Sequence, residues 1–391
     1  MTTTGTPIWA REAALPIWKP LDSSRREEIV IVGAGLAGLG LARELRALGK
    51  DPLVVDARGP GAGASGRNAG FVLRTHVTDY PNLRARIGSS LARELLSVAA
   101  ENHARIRACI GASVDTHRLS GSLMLASGPA EAERLDEARR ALDSDGVLVR
   151  EVRVPPTLAG FDAALAIDDD GEVHPGRLLA ALADGTRGAI FDVRSVHRSS
   201  VSDGRHVIEA EHVVLATNAS LSALVPALAR VVTPQRAQML ATEPLPRALD
   251  TPCYAGLGFD YFRQREDGRV LLGGQRHRFL EAEQTSVETT SPAVQSALES
   301  YLAQHLPFAR AARIEARWSG IMAFTPDGLP LAGRLAIPSA PWVLGGWTGH
   351  GLGLSLAIAA RLARVIAGAA APDAALSALD PSRFSAIFAH E

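Results

Sequence analysis

Four β-branched residues, Ile29-Val30-Ile31-Val32, run directly into Gly33-Ala34-Gly35-Leu36-Ala37-Gly38. No other feature narrows the fold as far. A continuous apolar run of strand length suits a parallel strand buried on both faces. The glycines then answer three separate needs. The first lets the chain turn out of the strand, the second lets the backbone approach a pyrophosphate, and the third lets a helix pack close to the strand. Leu41, Leu45 and Leu48 follow at helical spacing, and Gly49 closes the helix. Leu53-Val54-Val55 forms a second strand that ends at Asp56. A carboxylate there suits ribose hydroxyls and disfavours a 2′-phosphate. The pattern predicts a complete β–α–β unit of about 30 residues that binds a dinucleotide at a helix N-terminus.

The far end of the chain repeats the device. Trp342-Val343-Leu344 leads into Gly345-Gly346-Trp347-Thr348-Gly349-His350-Gly351 and then a long Ala/Leu helix. Two Gly-rich strand–turn–helix units at opposite ends of one chain suit one long cofactor. Backbone donors at Gly349, Gly351, Leu352 and Gly353 are placed to face a negative edge of such a cofactor. The apolar stretch 351–371 contains Arg361 and Arg364, so it reads as a buried helix and not a membrane span.

Between the two ends, residues 58–70 are rich in Gly, Ala and Ser and read as a loop. Residues 90–145 read as largely helical, and Glu172-Val173-His174-Pro175-Gly176 opens a helix from Arg177 to Ala183. Strand character follows up to Val213-Val214-Leu215-Ala216-Thr217-Asn218 and again over 231–280, with a helix over 291–306. Residues 1–27 form an extension with Trp9 and Trp18 that lies over the body.

Hydrophobic residues make up 47% of the 391, enough to fill the cores of about two domains. A formal net charge of -1 leaves no field to recruit nucleic acid or an anionic membrane. Only two cysteines, Cys109 and Cys253, are present, which excludes a disulfide framework and a cysteine-built metal site. Both read as buried thiols. No metal is expected, and no charged leader precedes an apolar run at the N-terminus, so a reducing, cytoplasmic setting is the expectation.

Several further stretches resemble the D-amino-acid-oxidase superfamily of FAD-dependent oxidoreductases. The nearest branch is that of γ-glutamylputrescine oxidase-like, glycine and sarcosine oxidases. The resemblance runs through 61–70, 172–178, 213–220, 234–245, 261–274, the run Arg317-Trp318-Ser319-Gly320-Ile321-Met322-Ala323-Phe324-Thr325-Pro326-Asp327-Gly328, and 346–351. It implies non-covalently bound FAD, held by Gly33, Gly35, Leu36, Ala37, Gly38, Asp56, Ala57 and Arg58. Ser65, Gly66, Arg67, Asn68, Ala69 and Gly70 pass the pyrophosphate and ring. Val193 offers its backbone to adenine, and Thr217, Asn218, Gly346, Gly349, His350, Gly351, Leu352 and Gly353 complete the site. The implied fold class is α/β (α+β, two-domain), with a Rossmann-like FAD-binding domain interleaved with a mixed-sheet substrate domain. Residues 28–90, 150–225 and 318–391 are expected to build the first, and 91–149 and 226–317 the second.

The implied reaction is oxidation of a small amine or amino-acid-like substrate by hydride transfer to flavin, with oxygen as acceptor. His350, Tyr261, Trp318, Met322 and Trp347 are the expected substrate-side residues, with Phe71 and Phe324 also facing the ring. Arg263 and Arg317 are candidates to pair with a substrate acid. The sequence departs from the family in three places. Met322 stands where amino-acid oxidases carry a carboxylate-binding arginine, Gly320 marks where sarcosine oxidases tether flavin through a cysteine, and Leu271 stands near their oxygen-activating lysine. Two other readings therefore stay open: a dehydrogenase with a non-oxygen acceptor, and a flavin-binding subunit of a larger complex.

Overall fold

The computed structural model describes residues 3–74, 80–111, 117–335 and 340–388. The β-branched run begins earlier than its apolar pattern shows. The strand spans Arg25–Val32, its first half half-exposed and its second half buried. Ile29 and Ile31 point to one side with Val54 and Val214, while Val30 and Val32 point to the other with Leu53, Val55 and Leu215. That alternation is why every residue of the run is apolar: the sheet is covered on both faces.

Arg25–Val32 lies parallel to Leu53–Asp56 on one side and to Val207–Leu215 on the other, and Gly188–Ile190 extends the sheet beyond Leu53–Asp56. The carboxyl half of Val207–Leu215 also pairs in parallel with Trp342–Gly345, from Val214 opposite Trp342. Helices Leu36–Ala47, Ser89–Ile110, Pro175–Ala183 and Gly351–Ile366 cover one face. Leu36–Ala47 and Gly351–Ile366 meet at Gly40, where a Cβ would stand 2.6 Å from Leu356 Cδ2. The two Gly-rich turns thereby lie side by side at the carboxyl edge of one sheet.

A second sheet of nine strands runs in the order Thr3–Thr4, Ile314–Phe324, Thr233–Pro244, Arg269–Gly273, Asp260–Gln264, Cys253–Ala255, Ser122–Ala126, Ala163–Ile167, Val149–Val152. Helix Pro292–His305, capped by Ser291, buries Val294, Leu298 and Leu302 against Leu240, Phe262 and Leu272 on its outer face. Alternation sends Met239, Ala241, Leu271 and Trp318 to the inner face, toward the first sheet.

Segment boundaries differ from expectation where long-range pairing decides. Residues 150–152 and Ala163–Ile167 were expected with the cofactor domain, but Val149–Val152 and Ala163–Ile167 both pair within the nine-stranded sheet. Ile314–Phe324 crosses the expected boundary at 318 as one continuous strand. Ser89–Ile110 packs on the cofactor sheet through Val98 and Ile106, although 91–149 was expected with the substrate domain. The expected helical stretch 90–145 is interrupted by the strand Ser122–Ala126, a short apolar run that finds partners on both edges.

The N-terminal extension is built into the body. Thr3–Thr4 pairs with Ala316 and Arg317, Lys19 and Leu21 bond Ile190, and Trp18 occupies the space that a Cβ on Gly188 would fill. Trp9 is 1% exposed and donates from Nε1 to the Asn68 carbonyl at 2.8 Å. No helix among the described residues is long and apolar enough to cross a membrane. Among the same residues, no cluster of three or more His, Cys, Asp or Glu side chains could hold a metal ion.

Candidate functional site

The first turn is shaped by contacts that leave no room for side chains. Gly33 has φ +111°, and a Cβ there would stand 2.6 Å from the Ala216 carbonyl oxygen. A Cβ on Gly38 would lie 1.9 Å from the Gly33 carbonyl oxygen. Asp56 closes the turn: Oδ2 accepts from Ala34 N at 2.9 Å, and Oδ1 accepts from Arg58 N at 2.8 Å and Gly59 N at 3.0 Å. Its side chain still reaches the cavity wall, where Oδ2 keeps a second lone pair.

The loop after the second strand is tied down from three directions. Ser65 Oγ accepts from Leu36 N at 3.0 Å, so it caps the first cofactor-side helix. Asn68 donates to the carbonyls of Ala64 and Ser65 and accepts from Gly70 N. Arg67 donates from Nε to Ala62 O and from Nη1 to Gly5 O and Ser319 O, and its Nη2 pairs with Glu288 at 2.9 Å. Phosphate contact was one expectation for Arg67. Nε, both hydrogens of Nη1 and one of Nη2 are instead spent on the protein, so it works mainly as a clamp between loop, N-terminal segment and second sheet.

The second turn passes through the left-handed region at Gly346, Thr348 and Gly349, with φ +70°, +48° and +84°, which strains the backbone at Thr348 alone of the three. It is held by Asn218, itself at φ +48°, whose Oδ1 accepts from Gly346 N at 3.1 Å and Trp347 N at 3.5 Å. Thr348 N donates to Ala323 O at 2.7 Å. His350 is the N-cap of Gly351–Ile366; Gly353 N donates back to the His350 carbonyl at 3.0 Å, and the N–H groups of Gly351 and Leu352 precede the first intrahelical acceptor. Next to Asn218, the Thr217 hydroxyl is buried without a hydrogen-bond partner among the described residues.

These pieces wall one cavity of ≈ 670 Å³. Gly33, Gly35, Leu36, Ala37, Asp56, Ala57 and Arg58 line it, as do Ser65, Arg67, Asn68, Ala69 and Gly70. Val193, Thr217, Asn218, Gly349, His350, Gly351 and Leu352 line it too. Gly38, Gly66 and Gly346 stand behind the wall, where they permit close packing, and Gly353 faces a neighbouring chamber. The arrangement fits a long dinucleotide. Two helix N-termini open on it, glycines admit close approach, and the partnerless Thr217 hydroxyl lies beside it.

The far end of the cavity is aromatic and apolar. Phe71, Met239, Tyr254, Tyr261, Ile321, Met322 and Trp347 line it. Phe71 meets Tyr254 edge-on at 4.9 Å between centroids and Tyr261 at 6.2 Å. Burial pushes the Tyr261 hydroxyl up to about 12 and Tyr254 further, so both are neutral donors near pH 7. A second chamber of ≈ 230 Å³ shares Tyr254, Gly258, Arg276, Trp347, Thr348 and His350 with the first.

Four expected substrate-side residues lie elsewhere. Trp318 is fully buried beneath the chamber and donates from Nε1 to Arg67 O at 2.9 Å. Its alternate position on Ile314–Phe324 aims it into the apolar layer with Trp9. Phe324 lines only the second chamber. Arg263 pairs with Glu172 at 3.1 Å and donates to Val173 O, and Arg317 pairs with Glu299 and donates to Gln295. Neither arginine reaches the cavity. Tyr254 and Arg276 do reach it, and the sequence reading missed both. Tyr254 had no motif, and the only signal for Arg276 was a charge just past the double glycine Gly273-Gly274.

Comparison with known proteins follows the same lines. A family described as "DAO: FAD dependent oxidoreductase" matches residues 28–365. The chain is 26% identical over 357 residues to gamma-glutamylputrescine oxidoreductase of Escherichia coli (strain K12), covering 85% of this chain and 82% of that protein. It is 31% identical over 390 residues to the tRNA 5-methylaminomethyl-2-thiouridine biosynthesis bifunctional protein MnmC of Caulobacter sp. (strain K31), covering 92% of this chain but 58% of that longer protein. Among solved structures, glycine oxidase from Geobacillus kaustophilus superposes with a TM-score of 0.75 at 23% identity, over 92% of this chain and 99% of that one.

Proposed function

The chain belongs to the DAO family of FAD-dependent oxidoreductases, and on that premise we propose that it oxidises a C–N bond of a small amine or amino-acid-like molecule. The observation that carries this reading is the continuity of the cavity, which joins both Gly-rich turns to an aromatic chamber. The gamma-glutamylputrescine oxidoreductase and glycine oxidase similarities support the substrate class.

FAD would be held by the first turn at its pyrophosphate, by Asp56 at a ribose, by Val193 near the adenine, and by 349–352 at the flavin. When bound, it supplies a hydride acceptor for the carbon next to nitrogen. The residues of the chain do the rest. The helix N-terminus at His350 faces developing negative charge. Phe71, Met239, Ile321 and Trp347 exclude water from the reacting carbon. The neutral phenols of Tyr254 and Tyr261 orient the amine. The oxidised product is an imine, which water hydrolyses after release. The absence of cysteine from the cavity wall supports non-covalent binding, and the cysteines present are free thiols suited to a reducing, cytoplasmic setting.

Oxygen is the proposed acceptor, with hydrogen peroxide as its product. A second acceptor reading has one observation in its favour: no lysine lines the cavity, and Leu271 is buried in the sheet. Anaerobic mixing with amines and amino acids tests the main reading, which expects the yellow flavin to bleach. Full colour against every such substrate would overturn it. Readmitting air then separates the acceptors, since peroxide release supports oxygen and turnover with a dye alone supports a dehydrogenase.

A further inference from the structure

The turn after Arg269–Gly273 places a guanidinium at the neck between the two chambers. Arg276 lines both. Its Cζ lies 4.6 Å from the Phe259 ring centroid and 5.0 Å from that of Phe324, so two aromatic rings pack against the half-buried cation. Among the described residues it has no carboxylate within ion-pair distance. Asp260 is the acid whose charge acts on it, yet Asp260 Oδ1 already accepts from Gln275 N at 2.8 Å and Nε2 at 2.9 Å. A cation taken from water without a counter-charge is costly, and an anionic ligand relieves that cost.

The surroundings say what that ligand carries. The second chamber is walled by Leu83, Leu95, Leu96, Met124 and Leu329, with Tyr80 at its side. Its other cations are engaged: Arg74 pairs with Asp169, and Arg86 donates to the Asp327 carbonyl. On the flavin side, Met322 offers a thioether and no charge. Arg276 is thus the one cation of the neck whose partner the described residues do not supply.

We propose that Arg276 anchors a substrate carboxylate, and that the second chamber receives the apolar side chain of the same molecule. The proposal rests on the C–N oxidation reading above and narrows its substrate class. The substrate is an apolar amino acid or its N-alkyl derivative, and polyamines are disfavoured by the cation at the neck. A guanidinium and carboxylate form a charge-assisted pair, whereas the guanidinium repels an ammonium tail.

The test uses the flavin-loaded full chain and two probes. Hexanoate has the acid and the chain but no amine, so it binds without reacting. Its affinity is read by calorimetry and by the flavin spectrum, with hexan-1-ol as the neutral control. Norleucine and pentylamine differ by the carboxylate alone, and their anaerobic bleaching rates are compared, using both enantiomers and the N-methyl forms. Hexanoate is expected to bind the wild type, to weaken at least about ten-fold in Arg276→Met, and to recover partly in Arg276→Lys, with hexan-1-ol indifferent to all three. An unperturbed flavin spectrum shows that each variant is folded. Equal hexanoate affinity in wild type and Arg276→Met overturns the anchor, as does failure of the wild type to bind hexanoate. If no amine or amino acid bleaches the flavin while hexanoate still depends on Arg276, the oxidation reading fails and the anchor stands. If pentylamine bleaches as fast as norleucine and hexanoate ignores Arg276, the anchor fails and the oxidation reading stands.

Discussion

Alanine at Gly35 and alanine at Gly38 add the same methyl group three residues apart, yet they are expected to damage different things. Gly38 sits in the first turn of a helix with ordinary φ, so alanine there gains about 1 kcal/mol of helix propensity. Its Cβ would stand 1.9 Å from the Gly33 carbonyl oxygen, where ordinary contact begins at 3.4 Å. The obstacle is backbone and cannot rotate away. Relieving some 1.5 Å of overlap must move helix against strand, and overpacking of this kind costs about 3 kcal/mol or more. The net loss is then about 2 kcal/mol in stability. At Gly35 the near atom is Ser65 Oγ at 2.8 Å, the end of a side chain that can turn. The φ of -85° is open to any residue. The cost to folding is about 1 kcal/mol, chiefly from turning Ser65 Oγ away from Leu36 N, the bond that caps the helix. Gly35 lines the cavity, however, so its methyl group intrudes on the dinucleotide path. Thermal unfolding of the apoprotein, paired with FAD titration by flavin fluorescence, separates the two. Gly38→Ala should lower Tm clearly, and Gly35→Ala should keep Tm near wild type while FAD binding weakens at least about ten-fold. Wild-type FAD affinity in Gly35→Ala, or an unchanged Tm in Gly38→Ala, refutes the division of roles between the glycines.

Other consequences follow from buried groups. Trp9→Ala removes a side chain that is 1% exposed and packs with Trp318, and should cost about 3–5 kcal/mol in urea unfolding and loosen the 63–70 loop to proteolysis. Asp170 is fully buried, accepting from Arg74 N and Ser122 Oγ, and burial raises its pKa to about 7. A raised folded-state value means that its stabilisation is present below the unfolded value and is lost as pH rises through about 7. Asp170→Asn, which mimics the neutral acid, should match wild type near about pH 4 and exceed it by up to about 4 kcal/mol near about pH 8, measured by urea midpoints. A constant difference across that range would contradict the assignment. Glu172→Gln leaves the buried Arg263 without its ion partner and should destabilise by about 3–5 kcal/mol by the same assay, with little change in FAD affinity, since neither residue lines the cavity.

The first β–α–β unit and the second Gly-rich turn were legible in the chain because their causes are local. Ile29 to Val32 need only a two-sided sheet, and Gly33 and Gly38 answer clashes with atoms a few residues away or just past the adjoining strand. Asp56 was located correctly as the end of the second strand, but its three accepted N–H bonds show that it also builds the turn. Where periodicity was short, the reading slipped. Ser122-Leu123-Met124-Leu125-Ala126 is too brief to separate strand from helix, and its partners at 163–167 and 253–254 settled the matter.

Side-chain destinations were the least legible part. Arg67, Arg263, Arg276 and Arg317 carry the same guanidinium, and nothing in their neighbours tells them apart. Register and packing give Arg263 to Glu172, Arg317 to Glu299 and Arg67 to three carbonyls and Glu288, and leave Arg276 at the neck of the cavity. Trp318 likewise faces the apolar layer because of the face its strand position takes. By itself the sequence determined that a dinucleotide turn exists and where its glycines fall, since strand, turn and helix are written in adjacent residues. Only the tertiary structure decided which of the distant charges and rings line the chamber, because a partner's identity depends on residues hundreds of positions apart being brought within a few ångströms.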